Sequence, residues 1–194
     1  MRRSLFLLLS LGCATAAFGQ LGEVALSFGT ARARNNSVGT LDQTGGAEGK
    51  LDTGFRLGFR FTINSRPFFG HEIGYAYTRS VLKVPDFGEV NMPIHQGMYN
   101  FLAYATPEGS KVRPFGTAGV QFSTFYPPGT GVFQGNGVTK FGFNYGGGVK
   151  VKVSSMFLVR LDVRDYVNAK PDILYNPSGM MHMLEISAGL GFTF

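Results

Sequence analysis

The sequence predicts an all-β protein, an eight-stranded antiparallel up-and-down β-barrel that crosses a membrane. Three observations carry the prediction. Apolar residues alternate with small or polar ones through eight stretches, the period-two pattern of strands with one greasy face. The connections between these stretches run long, short, long, short, long, short, long. The charged residues of the stretches share a face with glycine and leave the phenylalanine face uncharged.

Composition supports the same class. The chain has 194 residues, with 28 glycines and 19 phenylalanines. Disordered glycine-rich chains rarely hold so many aromatics. In a small barrel, glycine lets the sheet bend and keeps the interior from overfilling. No run after residue 19 approaches the ~18 apolar residues of a membrane helix, which excludes a helical membrane protein.

Residues 1–19 read as a signal peptide. Arg2 and Arg3 precede an apolar run, Leu5 to Leu11, and small residues follow it up to Gly19. Cleavage is expected after Gly19, with Ala16 as the alternative. The only cysteine, Cys13, lies in this leader. Ser10 stands where a lipoprotein signal usually carries Leu, which argues against lipidation. Residues 20–194 then form a single domain without disulfides. Without Arg2 and Arg3, sixteen basic residues face twelve acidic ones, net +4. The excess is spread along the chain rather than clustered, unlike a nucleic-acid binder.

The first strand spans Gly22 to Ala31, with Val24, Leu26 and Phe28 opposite Glu23, Ala25 and Ser27. Arg32 to Lys50 reads as a long polar loop. The second strand alternates most clearly: Leu51, Thr53, Phe55, Leu57, Phe59, Phe61 and Ile63 on one face, Asp52, Gly54, Arg56, Gly58 and Arg60 on the other. Asn64-Ser65-Arg66 is a tight turn before Pro67. The third strand, Phe68 to Thr78, sets Phe69, Ile73, Tyr75 and Tyr77 against Gly70, Glu72 and Gly74. Ser80 to Pro93 reads as a second long loop.

The fourth strand, His95 to Ala105, places Tyr99, Phe101 and Ala103 outward so that Asn100 turns inward. Pro107-Glu108-Gly109-Ser110 is a short turn. The fifth, Val112 to Thr124, sets Val120 and Phe122 against Arg113, Gln121 and Ser123. Phe125 to Lys140 is a third long loop. The sixth, Phe141 to Val153, sets Phe143, Tyr145 and Val151 against Asn144, Gly148 and Lys150. Ser154-Ser155-Met156 turns into the seventh, Phe157 to Tyr166, where Arg160, Asp162 and Arg164 share a face. Val167 to Met180 is the fourth long loop. The eighth, Met181 to Phe194, sets Leu184, Ile186, Leu190, Phe192 and Phe194 against Glu185, Ser187, Gly189 and Gly191.

Magnitudes decide which face meets lipid. An Arg or Lys facing lipid at mid-membrane costs ~2–4 kcal/mol. Arg56, Arg60, Lys150, Arg160 and Arg164 on that side would together cost ~10 kcal/mol or more, comparable to a domain's whole stability. They belong inside, with Asp52, Glu72, Asp162 and Glu185 as the acids of a structural lumenal charge network. Counting back from the turn at Ser65 places Arg60 near Glu72.

The rhythm of loops and turns, the stretches Gly74-Tyr75-Ala76-Tyr77, Arg113 to Gly119, Asn144 to Lys150 and Arg160 to Tyr166, and the Phe194 end are similar to the small eight-stranded outer-membrane barrels, the OmpA- and OmpX-like β-barrel domains. The resemblance covers nearly all of residues 20–194. It implies a location in the outer membrane of a cell with a Gram-negative-type envelope, among outer-membrane lipids and lipopolysaccharide, with both termini periplasmic. It implies a monomer whose last strand, with Leu190, Phe192 and Phe194, is the signal read by the barrel-assembly machinery. It further implies a lumen filled by side chains, and four long extracellular loops as the site of any ligand recognition. These motifs mark a fold rather than an activity.

No cofactor or metal is expected. His71, His95 and His182 have no metal-ligand spacing, and no nucleophile elbow or Walker loop occurs. Gly129, Gly131, Gly135 and Gly137 lack the strand-to-helix context of a phosphate loop and read as flexible. Two alternatives to a structural barrel remain. One is a lipid A-modifying enzyme using His182, Ser178 and Asp172. The other is a soluble periplasmic lipocalin-like binder with the greasy face inward.

Overall fold

The computed structural model describes residues 22–85, 88–127, 129 and 136–194. The expected leader 1–19, Cys13, Gly131 and Gly135 lie outside the described residues. Ten strands form one sheet: β1 (Gly22–Ala33), β2 (Ser37–Thr40), β3 (Glu48–Leu51), β4 (Gly54–Arg66), β5 (Phe69–Val84), β6 (Gly88–Tyr104), β7 (Val112–Phe125), β8 (Val138–Lys152), β9 (Phe157–Ala169) and β10 (Met180–Thr193). Eight of them close on themselves. β1 pairs with β4 and β10, and the order runs on through β9, β8, β7 and β6 to β5 and back to β4. Every pairing is antiparallel. Closure leaves the barrel wall without a free edge.

The expected alternation sets the wall. Leu26, Phe28, Ile73, Val120, Leu161, Ile186 and Leu190 face outward and are exposed, while Arg56, Arg60, Glu72, Asp162, Arg164 and Glu185 are buried inside. This is the reverse of a lipocalin, whose interior is apolar. Asn100 points inward and Tyr99 and Phe101 outward. Short turns join β4–β5, β6–β7 and β8–β9 at one end of the barrel. In the β6–β7 turn, Gly109 adopts φ 90°, a conformation open to glycine.

Three sequence expectations fail at the opposite, loop end. The stretch Arg32–Lys50 holds a hairpin, β2 with β3, and β3 docks on β5 through Lys50↔Lys83 and Leu51↔Leu82. The stretch Ser80–Pro93 is mostly strand, because β5 continues to Val84 and β6 begins at Gly88. Asp52 is not in the lumen. The alternation breaks at Asp52-Thr53 between β3 and β4, so Leu51 turns inward and Asp52 outward. Asp52 accepts from its neighbour Thr53 N at 2.8 Å and pairs with Lys83 at 2.9 Å on the surface. Leu51 instead joins Leu82, Val84, Met92, Ile94, Phe125, Met181 and Met183 in an apolar cluster over the loop end of the lumen. Burial of that cluster is what extends β5 and β6 beyond the barrel wall.

Candidate functional site in the barrel lumen

The inward side chains stack in layers. At the turn end, Glu23 of β1 accepts from Lys150 Nζ of β8 and from Asn64 Nδ2 of β4 at 3.0 Å. Lys150 also donates to the Tyr104 hydroxyl at 2.9 Å, and the Arg113 guanidinium lies 3.7 Å from the centre of the Tyr104 ring. Sequence reasoning placed Glu23 and Arg113 inward but did not join Glu23 to Lys150, because that contact crosses the lumen; Arg113 is the register partner of Lys150 on the neighbouring β7.

The middle layer is ionic. Glu72 of β5 takes Arg160 Nη1 at 2.5 Å and Arg164 Nη2 at 2.8 Å, both from β9, with Arg60 Nε at 3.8 Å. Asp162 takes Arg160 Nε at 2.6 Å, Arg164 Nη2 at 3.0 Å and Arg60 Nη1 at 3.3 Å. Glu185 of β10 takes Arg60 Nη2 at 2.7 Å and Arg56 Nε at 3.0 Å, and accepts from the Tyr166 hydroxyl at 2.6 Å and Ser187 Oγ at 2.5 Å. The side chains of all seven ions are at most 2% exposed. Forked guanidinium groups suit this role, since each presents several donors in one plane to more than one carboxylate. Glycine makes the room: a Cβ on Gly146 would stand 3.0 Å from Arg164 Cγ and 2.7 Å from its Cα.

A neutral polar layer follows toward the loop end. Arg56 Nη1 donates to Thr78 Oγ1 at 2.9 Å and to Gln96 Oε1. Gln96 donates in turn to Gln121 Oε1 at 3.0 Å and Ser123 Oγ at 2.8 Å. Gln96 and Tyr166 escaped the sequence reading because uncharged side chains carry no charge argument about phase. The apolar cluster lies beyond this layer.

Of the nine residues expected in the network, Arg56, Arg60, Glu72, Arg160, Asp162, Arg164 and Glu185 meet in the middle layer, Lys150 sits in the turn-end layer, and Asp52 lies outside. Lys83 holds the Asp52 carboxyl below its usual range, mainly through their hydrogen bond. Glu108, in the β6–β7 turn, is pushed up by partial burial.

The three histidines lie apart on the outward face. His71 Nδ1 meets the Tyr99 hydroxyl at 2.8 Å, His95 Nδ1 meets that of Tyr75 at 2.5 Å, and His182 Nδ1 meets Asp165 Oδ2 at 2.9 Å. The arrangement His182–Ser178–Asp172 is not assembled: Asp172 pairs with Lys140 at 2.5 Å, and the acid on His182 is Asp165. Among the described residues no group of three His, Cys, Asp or Glu is placed to hold a metal ion. At the barrel seam, Phe194 and Gly22 exchange backbone hydrogen bonds, and the Phe192 and Phe194 rings stack at 6.3 Å.

The family model for the outer membrane protein beta-barrel domain matches residues 4–194. Similar solved structures include Neisserial surface protein A, at TM-score 0.66 and 16% identity over 89% of this chain and 97% of that one. The outer membrane protein OprG from Pseudomonas aeruginosa follows at TM-score 0.63 and 15% identity over 90% and 97%. The N-terminal β-barrel domain of Pseudomonas aeruginosa OprF gives TM-score 0.56 and 14% identity over 91% and 99%. At these identities the likeness is one of fold. No curated protein matches in sequence. The wall of outward apolar side chains, the eight-strand closure and the match over nearly the whole chain agree: the protein belongs to the outer membrane protein beta-barrel domain family and sits in the outer membrane among its lipids.

Proposed function

We propose that this protein is an occluded, non-enzymatic outer-membrane scaffold that supports envelope integrity and carries surface recognition on its loop end. The observation that carries the reading is the middle layer of the lumen, where Arg160 and Arg164 of β9 bind Glu72 of β5. An eight-stranded barrel is only wide enough for its side chains to fill, and here they interlock across it. The ion pairs act as a plug rather than a catalytic centre, since each buried charge needs a partner simply to be tolerated.

In this reading the turns and both termini face the periplasm, the usual arrangement of such barrels. The protein acts as a monomer, and the strand ending in Leu190, Phe192 and Phe194 is the segment read by the assembly machinery. The loop end faces outward. There the β2–β3 hairpin and the β5–β6 tip flank a cleft of about 740 Å³ lined by Glu48, Lys50, Asp52, Lys83 and Glu89, a mixed-charge surface suited to a polar extracellular ligand.

A deletion strain tests the reading. Loss of the protein is expected to sensitise cells to detergent without reducing solute uptake. Replacement of residues 37–51 by a short linker is expected to restore the barrier but not ligand binding. Protease added to whole cells is expected to cut only at the loop end. An uptake defect with an intact barrier, or cleavage at the turns, contradicts it.

A further inference from the structure

The β2–β3 hairpin is fastened unequally on its two sides. Toward β5 it has two register pairs, Lys50↔Lys83 and Leu51↔Leu82. The first sets like charges opposite each other, which weakens a ladder. Continuing the register would set Glu48 opposite Pro85, which has no backbone N–H to donate. The hairpin leaves β5 there, and the cleft opens between them.

Toward the β9–β10 loop the hairpin is clasped. Thr40 N donates to Tyr175 O at 2.7 Å, and Tyr175 N donates to Thr40 O at 3.0 Å. Asn176 Nδ2 donates to Thr40 Oγ1 and to Gln43 O, both at 3.2 Å. Asn176 holds φ 52°, a left-handed conformation that asparagine tolerates better than most residues. Beside these bonds, Leu174 enters a notch in the hairpin. Gly39 and Gly49 face each other across the two strands. A Cβ on Gly49 would overlap Leu174 Cδ1, and one on Gly39 would stand 3.0 Å from Leu174 Cβ.

Underneath, Val38 and Leu51 join the apolar cluster, and Leu174 packs against its edge. Burial there holds the hairpin down. The chain enters it through Arg34-Asn35 and leaves it through Asp52-Thr53, exposed pairs outside any strand. Leu51 N donates to Asn36 O at 2.7 Å, so residues 36–51 travel together.

We propose that the β2–β3 hairpin is a lid over the loop end of the lumen, hinged at Arg34-Asn35 and Asp52-Thr53 and held shut by the Leu174 clasp. Opening uncovers Leu51 and Leu82 and leaves the ion layers beneath intact. It also dissolves the cleft, whose hairpin wall is Glu48 and Lys50. A molecule seated in the cleft therefore favours the shut lid. This last consequence rests on the reading of the cleft as a recognition surface.

The test is amide hydrogen exchange, read by mass spectrometry on the protein folded in phosphatidylcholine nanodiscs without ligand. Amides of residues 38–51 are expected to exchange together, on the order of a hundredfold faster than those of 55–63 in the wall, yet more slowly than in an unfolded chain. Thr40 and Tyr175 exchange both backbone bonds, a pairing with Cα atoms about 5.5 Å apart, which a disulfide can span. Oxidised T40C/Y175C should slow residues 38–51 about tenfold or more, and reduction should restore the wild-type rate. L174A should speed them about tenfold and leave 55–63 unchanged. Wild-type exchange of 38–51 at the wall's rate, or at that of an unfolded chain, overturns the proposal. So does an unchanged rate in oxidised T40C/Y175C or in L174A. L174A carries no cysteine, so it scores the clasp even where the disulfide does not form. With no ligand present, failure here is separable from failure of the cleft as a recognition surface, which replacement of residues 37–51 scores.

Discussion

Arg160 and Glu72 join strands that lie diametrically opposite in the barrel. From β9 to β5 the path is four strands by either direction around an eight-strand ring, and the two side chains meet at 2.5 Å. The contact is therefore a strut across the full diameter, not a rung between neighbours. Such a strut fixes the cross-section of the barrel as well as neutralising two charges.

Cutting the strut from one side leaves a buried ion without its partner, which costs about 3–5 kcal/mol. Glu72→Gln is expected to destabilise the barrel by that order, because it leaves Asp162 as the one carboxylate facing both Arg160 and Arg164. Equilibrium urea unfolding in lipid vesicles, followed by heat-modifiable gel migration, measures this. Glu72→Gln combined with Arg160→Met should recover part of the loss, since removing both partners is far milder than removing one.

Asp52→Asn is the matching control. Asp52 pairs with Lys83 in the open, about half exposed on each side. Such surface pairs contribute little. Its carboxyl titrates below the ordinary value of 3.8, so the attraction is present at neutral pH and is lost only as pH falls through that lowered value. Unfolding midpoints of wild type and D52N are expected to coincide from pH 5 to 8. A large gap at pH 7 would return Asp52 to the structural network.

Asp52 also shows where sequence reading stops. Period two placed Arg56, Arg60 and Glu72 inward, because each has an unbroken run of alternating neighbours. The run through Asp52 contains a two-residue break, and alternation alone has no marker for such a phase change. The tip strands 80–84 and 88–93 did alternate, but polar residues and Pro85 masked them. What burial they gain comes from β3 and the apolar cluster, partners distant in sequence. Ion partners across the lumen were hidden for the same reason. A hairpin count reached Arg60 and Glu72, 3.8 Å apart, but not Arg160 and Glu72, which are 88 residues apart in sequence.

The outward wall yields a prediction of opposite kind. Leu161 is 51% exposed at mid-strand on β9. Leu161→Arg is expected to cost ~2–4 kcal/mol of membrane stability, the penalty of a guanidinium in hydrocarbon. In detergent micelles the penalty should shrink, and unfolding titrations in vesicles and micelles provide the comparison. An equal or smaller loss in vesicles would place this face away from lipid.

Deleting the ring of Phe194 separates assembly from stability. Its backbone bonds to Gly22 survive in Phe194→Ala, so refolding in vitro should change little. In cells the fraction that shows heat-modifiable migration should fall severalfold if the terminal strand is the segment read by the assembly machinery. Equal fractions in cells would remove that role.

The interlocked lumen is tested most directly by current through single molecules in a planar bilayer. The wild-type barrel is expected to hold a closed baseline across ±100 mV, a range over which one charge gains only ~2.3 kcal/mol per 100 mV, less than the cost of breaking the buried pairs. A steady, sizeable conductance from pure wild-type protein would contradict the account.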